Sequence, residues 1–382
     1  MLSNLQFAIY CCKTQLSEDD VSILKNDIQE RDDESIRKLI NFVLSQQVFP
    51  QFHRCIINHA TELLSQPIMV ELEEYNLSIV VSNIGITGEL IQIHKLCADR
   101  SIRILPFKGP AMAIKAYQDV GSRQFSDLDI LIERQDFKSF SDILSSRGYK
   151  PLYPIDKYKS KNVLFKMNND CPFYHGKKNF VVEVHWDFFR KLALPTRVFE
   201  PWKNTELVNI KGHNVSILSP ENQLLYHSLH GSKHLWEKLL WIVDLDRYIR
   251  SNPDINWNEI LRKARTLGAQ RLFILGIALS HEYFDTPLPQ EIERVCKNQN
   301  FTSISVLIES VLNNECPGTL DSIAKVGKLI TLRDNPYFKS KMILEYVFKP
   351  GINEREMIIL PKQLFFLYWL LRPLRLAKDY LF

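Results

Sequence analysis

The stretch Ile102–Ile132, IRILPFKGPAMAIKAYQDVGSRQFSDLDILI, decides how the rest of the chain is read. A β-type run, Ile102–Phe107, leads into a Lys108-Gly109 turn, a helix from Pro110 to Tyr117, a loop carrying Arg123, and a second strand at Leu128–Ile132. Residues two apart in a strand share a face, so Asp127 and Asp129 leave the sheet together while Leu128 and Ile130 turn into the core. A bare Asp-x-Asp is a short signal, and a solvated strand edge carries the same residues. The same geometry is also suited to a divalent metal ion.

A second β-type run strengthens the metal reading. In Phe180–Asp187, FVVEVHWD, alternation puts Val182, Val184 and Trp186 on one face and Glu183, His185 and Asp187 on the other. On a sheet shared with Asp127 and Asp129, Glu183 completes a set of carboxylates for one or two ions, and such hard oxygen ligands suit Mg²⁺, or Mn²⁺, rather than zinc. Paired ions about 3.5–4 Å apart serve in-line displacement at phosphorus, so phosphoryl or nucleotidyl transfer is the reaction class expected. Lys108 and Arg123 would hold the triphosphate, and Gly109 would let backbone amides approach it at a helix start, although Pro110 removes one donor. Ser126 and His185 are taken with them into the nucleotide-binding set. No GxxxxGK[ST] loop is present.

Around this unit the chain is helical. The predicted organisation is an N-terminal helical region over 1–100, an α/β core over 101–218 and a C-terminal helical domain over 219–382, as the length of 382 residues suggests. Helices are expected from Ser17, from Ser35, over Phe52–Leu64 and over Pro67–Arg100 with a break near Gly85 or Gly88. Within the core a helix is expected over Gln135–Arg147, then a hairpin of Asn162–Met167 and Asn179–Trp186, then a last strand at His213–Leu218. Ser219-Pro220 starts the C-terminal helices, and Pro373 is expected to divide the last one.

Composition narrows the function classes. Forty-eight basic against 44 acidic residues leave a net charge of +4, too balanced for a broad nucleic-acid surface. The seven cysteines lack CxxC spacing, which disfavours both a disulfide framework and a zinc site and is consistent with the cytoplasm. The most apolar run, Leu364–Leu371, falls far short of the roughly 20 residues that span a bilayer, so no membrane span is expected.

The order Lys108-Gly109, Tyr117, Arg123, Asp127-x-Asp129, then Glu183-x-His185-Trp186, resembles an uncharacterised bacterial nucleotidyltransferase family of the polymerase-β-like superfamily. The resemblance extends to His230-Gly231-Ser232-Lys233-His234 with Trp236, Trp241 and Asp244. It implies an α+β fold, a small mixed sheet flanked by N-terminal and C-terminal helices. It also implies transfer of a nucleoside monophosphate from a nucleoside triphosphate to an acceptor. The superfamily's Gly-Ser turn is replaced here by Lys108-Gly109-Pro110-Ala111. In this reading Asp127 and Asp129 bind metal, Glu183 takes the second metal position or acts as general base, and pyrophosphate leaves.

His227, His230 and His234 share a helix face. They admit a zinc reading without HExxH, a packing or capping role, or, as the resemblance implies, a cleft wall in which His230, Lys233 and His234 contact phosphate or acceptor. A small hydroxyl compound is the acceptor expected. A non-catalytic nucleotide-binding scaffold and an RNA- or protein-directed transferase are the rival readings; intact acids oppose the first, and the balanced charge opposes RNA.

Overall fold

In the computed structural model the described residues are 1–152, 164–165, 168–178, 180–189, 194, 198–313 and 322–381. Five helices come first: α1 (Asn4–Cys12), α2 (Glu18–Gln29), α3 (Asp33–Ser45), α4 (Phe49–His59) and α5 (Gln66–Ala98). Ser17 caps α2 in a reciprocal box with Asp20, and Asp32 caps α3 through Ser35 N–H. α5 runs unbroken through Gly85 and Gly88, against the expected break. Gly in a helix costs about 1 kcal/mol each, and the buried row Asn83, Ile86, Leu90, Ile93 and Cys97 anchors the helix on either side of them. By length and composition α5 could cross a membrane. Here Glu89 on its buried side is ion-paired with Arg147 and Lys178.

The core follows as β1 (Ile104–Pro106), α6 (Gly109–Tyr117), β2 (Asp127–Ile132), α7 (Phe137–Ser146), β3 (Lys150–Pro151), β4 (Asp170–Tyr174) and β5 (Val181–His185). These strands form one mixed sheet in the order β1-β2-β5-β4-β3, with β2 and β5 parallel and the other pairs antiparallel. The expected hairpin partner Asn162–Met167 is corrected: Leu164 and Phe165 are helical, and the remainder of that run lies outside the described residues. Their side chains turn inward, Phe165 meeting Phe137 and Trp186 edge-on, while the true partner strand β4 carries Pro172, which breaks a strand-like pattern. A separate hairpin, β6 (Glu206–Ile210) with β7 (His213–Ile217), turns at Lys211-Gly212, both at positive φ.

Helices α8 (Pro220–Lys233), α9 (Leu239–Arg250), α10 (Trp257–Thr266) and α11 (Gln270–Phe284) complete the wall opposite the sheet. Further helices reach the C-terminus, ending in Tyr368–Leu381, which passes through Pro373 without dividing. It is held on the body by Arg372 and Arg375, both bonded to the buried Glu354, and by the buried Tyr368.

The sheet separates two apolar clusters. Leu128, Ile130, Ile132, Val182 and Val184 pack with α5 and α7 residues, whereas Leu131 and Phe107 join the larger cluster of the N-terminal and C-terminal helices. This alternation is the strand period at work: the face that turns away from Leu128 and Ile130 is the face that carries Asp127, Asp129, Glu183 and His185.

Candidate active site

The parallel register of β2 and β5 sets Asp129 beside Glu183 and Leu131 beside His185. His185 Nε2 lies 3.2 Å from Asp129 Oδ1 and 3.3 Å from Glu183 Oε2. Among the described residues, Asp129, Glu183 and His185 are grouped with one ligand atom each, all within 4.8 Å of one another, a set without Asp127. Asp127 stands half-buried on the same face one pleat away. Asp129 is fully buried, and its Oδ2 has no hydrogen-bond partner.

Lys108 answers that buried charge, with Nζ 3.5 Å from Asp129 Oδ1. Burial works against the ammonium, but the carboxylates of Asp129, Asp127 and Glu183 outweigh it and hold its pKa above the ordinary lysine value. The two aspartates are pushed apart: burial and its neighbour Asp129 raise Asp127, whereas Lys108 and His185 overcome burial to lower Asp129. Gly109 makes the turn possible. Its φ is +54°, and a Cβ there would sit 3.2 Å from the Asp127 carbonyl oxygen, so a side chain would press on the strand bearing the acids.

Arg123 does something other than expected. Its Nε and an Nη donate to the two carboxylate oxygens of Asp244 at 2.8 Å each, and Tyr117 Oη donates to the same carboxylate at 2.7 Å. Both partners are buried, with side chains 5% and 0% exposed, so Arg123 ties the loop before β2 to α9 through Nε and one Nη, while the residue also lines the cleft beside the acids. Asn83 Nδ2 supports that loop by donating to the carbonyls of Val120 and Arg123. Ser126 is exposed at the loop's end.

Facing the acids across a cleft of about 360 Å³ are Tyr226, His230, Lys233, His234 and Trp241, and the same cleft is lined by Lys108, Ser126, Asp127, Glu183 and His185. Helix α8 brings Tyr226 and His230 to one side by its turn spacing, and His234, its C-cap, lies beside His230. The rings of His230, His234 and Trp241 lie within 5.4 Å of each other, centre to centre. His227 points elsewhere, to Gln223, and burial holds its pKa down to about 3. Gln223 in turn donates to the Phe107 carbonyl, joining α8 to the strand that precedes Lys108. A hollow of about 450 Å³ beside Lys203 and Lys263 lies apart from the acids, and those lysines are paired with Glu200 and Glu259.

Sequence reasoning missed Tyr226 as a cleft residue; its place one turn before His230 was the available signal. Trp241, part of the resemblance, has its ring half-buried in the cleft wall. Trp236 is fully buried: residues Leu235 and Trp236 adopt positive φ, and the indole wedges against Gly231 and Gly276.

An α+β fold with acids on adjacent strands and a lysine beside them suits a nucleotidyltransferase. Residues 32–285 match the sequence profile described as uncharacterised nucleotidyltransferase, and the chain belongs to that family. No curated protein matches the chain. A solved structure of the antibiotic-resistance factor ANT(2'')-Ia is similar at 12% identity, covering 58% of this chain and 94% of its own, with a TM-score of 0.28. At that score the likeness carries no argument.

Proposed function

We propose that the protein transfers a nucleoside monophosphate from a nucleoside triphosphate to a hydroxyl group of a small acceptor, with a divalent metal ion and release of pyrophosphate. The observation that carries this reading is the polar face of β2 and β5: Asp127 and Glu183 line one cleft together with Lys108, and Asp129 lies buried behind them against Lys108 and His185. The donor set suits an ion: the Asp129 carboxylate retains a buried oxygen without a partner, and two further donor groups stand within 4.8 Å of it. Asp127, Asp129 and Glu183 would hold Mg²⁺ or Mn²⁺, which when bound neutralises charge on the phosphates.

The chain's own groups carry the remaining work. Lys108, fixed by Asp129, supplies a cation for the triphosphate on the cleft floor. Glu183 is partly exposed to the cleft, and its carboxylate oxygen not turned toward His185 accepts the acceptor's proton as the acceptor oxygen bonds to the α-phosphorus; the bond from that phosphorus to the bridging oxygen breaks, and pyrophosphate carries the electron pair away. His230, Lys233, His234 and Trp241 form the opposite wall, where nucleotide or acceptor is bound. A cleft of about 360 Å³ matches the size range of small-molecule sites. We place the reaction in the cytoplasm, in keeping with the thiol form of Cys11, Cys12, Cys55 and Cys97.

The test combines labelled nucleoside triphosphates, a panel of hydroxylated small molecules and detection of released pyrophosphate. Asp127→Ala and Asp129→Ala, folded by circular dichroism, are expected to abolish release and to lose metal–nucleotide binding. Undiminished binding in both variants would remove the reading.

A further inference from the structure

The ring of His185 is 7% exposed; its Nδ1 has no hydrogen-bond partner, and its Nε2 stands between two carboxylates, 3.2 Å from Asp129 Oδ1 and 3.3 Å from Glu183 Oε2. A buried imidazole nitrogen set between two carboxylates is held there by a shared proton or by a shared cation, since without either the carboxylates and the nitrogen lone pair repel. Packing holds the ring in place: Phe107 meets it edge-on at 5.1 Å, and its backbone is paired within the sheet on both sides. The orientation is therefore set before any ligand arrives.

We propose that His185 is itself a ligand of the metal ion, with Asp129 and Glu183, making a mixed nitrogen and oxygen centre that prefers Mn²⁺ to Mg²⁺. This deepens the metal-dependent transfer reading and rests on it. Two ligand atoms at right angles about an ion, each bonded at about 2.1 Å, stand about 3.0 Å apart. The two separations from His185, 3.2 and 3.3 Å, need only a few tenths of an ångström of closure, and all three ligand atoms lie within 4.8 Å of one another. Carboxylate and water alone would suit Mg²⁺ equally well, but an imidazole nitrogen in the shell favours the softer transition ion. Asp129 would serve this ion through Oδ1, the oxygen nearest His185, while its Oδ2 has no hydrogen-bond partner.

Metal-stripped full-length protein is titrated with Mn²⁺ alone, without nucleotide, by loss of the free-ion electron paramagnetic resonance signal, and Mg²⁺ is then added as competitor. The bound ion is expected to show nitrogen hyperfine coupling and to resist Mg²⁺. In His185→Gln the coupling disappears and Mn²⁺ affinity falls about 10-fold or more, since even residues that only orient ligands are worth roughly 10–100-fold, while Mg²⁺ affinity changes little. Absence of nitrogen coupling in the parent, or equal loss of both ions in the variant, overturns the proposal. If the variant does not fold, the parent's spectrum decides alone. Pyrophosphate release without nitrogen coupling would sink this inference and leave the transfer reading standing; nitrogen coupling without turnover of any nucleotide would do the reverse.

Discussion

Replacing Asp244 with alanine should destabilise the protein by about 3–5 kcal/mol, the usual cost of stranding one member of a buried ion pair. The structure supports the upper part of that range. Asp244 is fully buried, it accepts two 2.8 Å bonds from Arg123 and one of 2.7 Å from Tyr117, and its removal leaves both donors unsatisfied. Losing the tyrosine's acceptor adds about 1 kcal/mol. The double substitution Arg123→Met with Asp244→Leu removes both charges and keeps apolar volume, so it should recover most of the loss, with a coupling energy of about 2 kcal/mol or more. Urea unfolding followed by tryptophan fluorescence measures all the corners of the cycle. Because Arg123 is read as a strut, the double variant should also bind metal–nucleotide near the parental affinity, the loop still being held by Asn83. An Asp244→Ala cost below about 1 kcal/mol would refute the strut, and so would a stable double variant that no longer binds nucleotide.

Other substitutions report on the turns and on pH. Gly109→Ala meets both a φ of +54° and the Asp127 carbonyl at 3.2 Å, so a loss of about 1–3 kcal/mol in urea unfolding, with weakened nucleotide binding, is expected. Gly231→Ala would bring a methyl within 2.3 Å of the Trp236 ring and should cost about 1–3 kcal/mol while quenching or shifting tryptophan emission. Burial lowers His227 from 6.5 to about 3, so between those values the unfolded chain holds a proton the folded one refuses. Stability is then complete above the unfolded pKa and falls as pH drops, by about 1.4 kcal/mol per pH unit; His227→Gln should flatten that acid limb in pH-dependent unfolding. Lys108→Met should raise the apparent Kd for nucleoside triphosphate by about 10-fold or more, read by equilibrium titration, since a charge-assisted bond is worth about 1.5–3 kcal/mol.

Local periodicity made much of the site legible from sequence. Strand alternation is a property of a few neighbouring residues, which is why the common face of Asp127 and Asp129, the opposite faces of Glu183 and Val182, and the glycine at the Lys108 turn could be assigned without coordinates. The helix starts at Ser17 and Ser219 were readable for the same reason, since a cap bonds within three residues.

Partners distant along the chain were not legible. Arg123 has the chemistry of a phosphate clamp, and only the packing of α9 against the loop, 121 residues apart in sequence, gives it to Asp244. Pairing of β2 with β5 likewise set the Asp129–Glu183 register and drew His185 in among the ligands. Helix α5 overrode its glycines, and Leu164-Phe165 overrode its β-like composition, because buried contacts outweigh propensities of about 1 kcal/mol or less. The sequence alone determined which residues could do chemistry and on which face they stand; the tertiary structure decided which of them meet, because a charge removed from water takes its partner from whatever the fold brings within hydrogen-bonding distance.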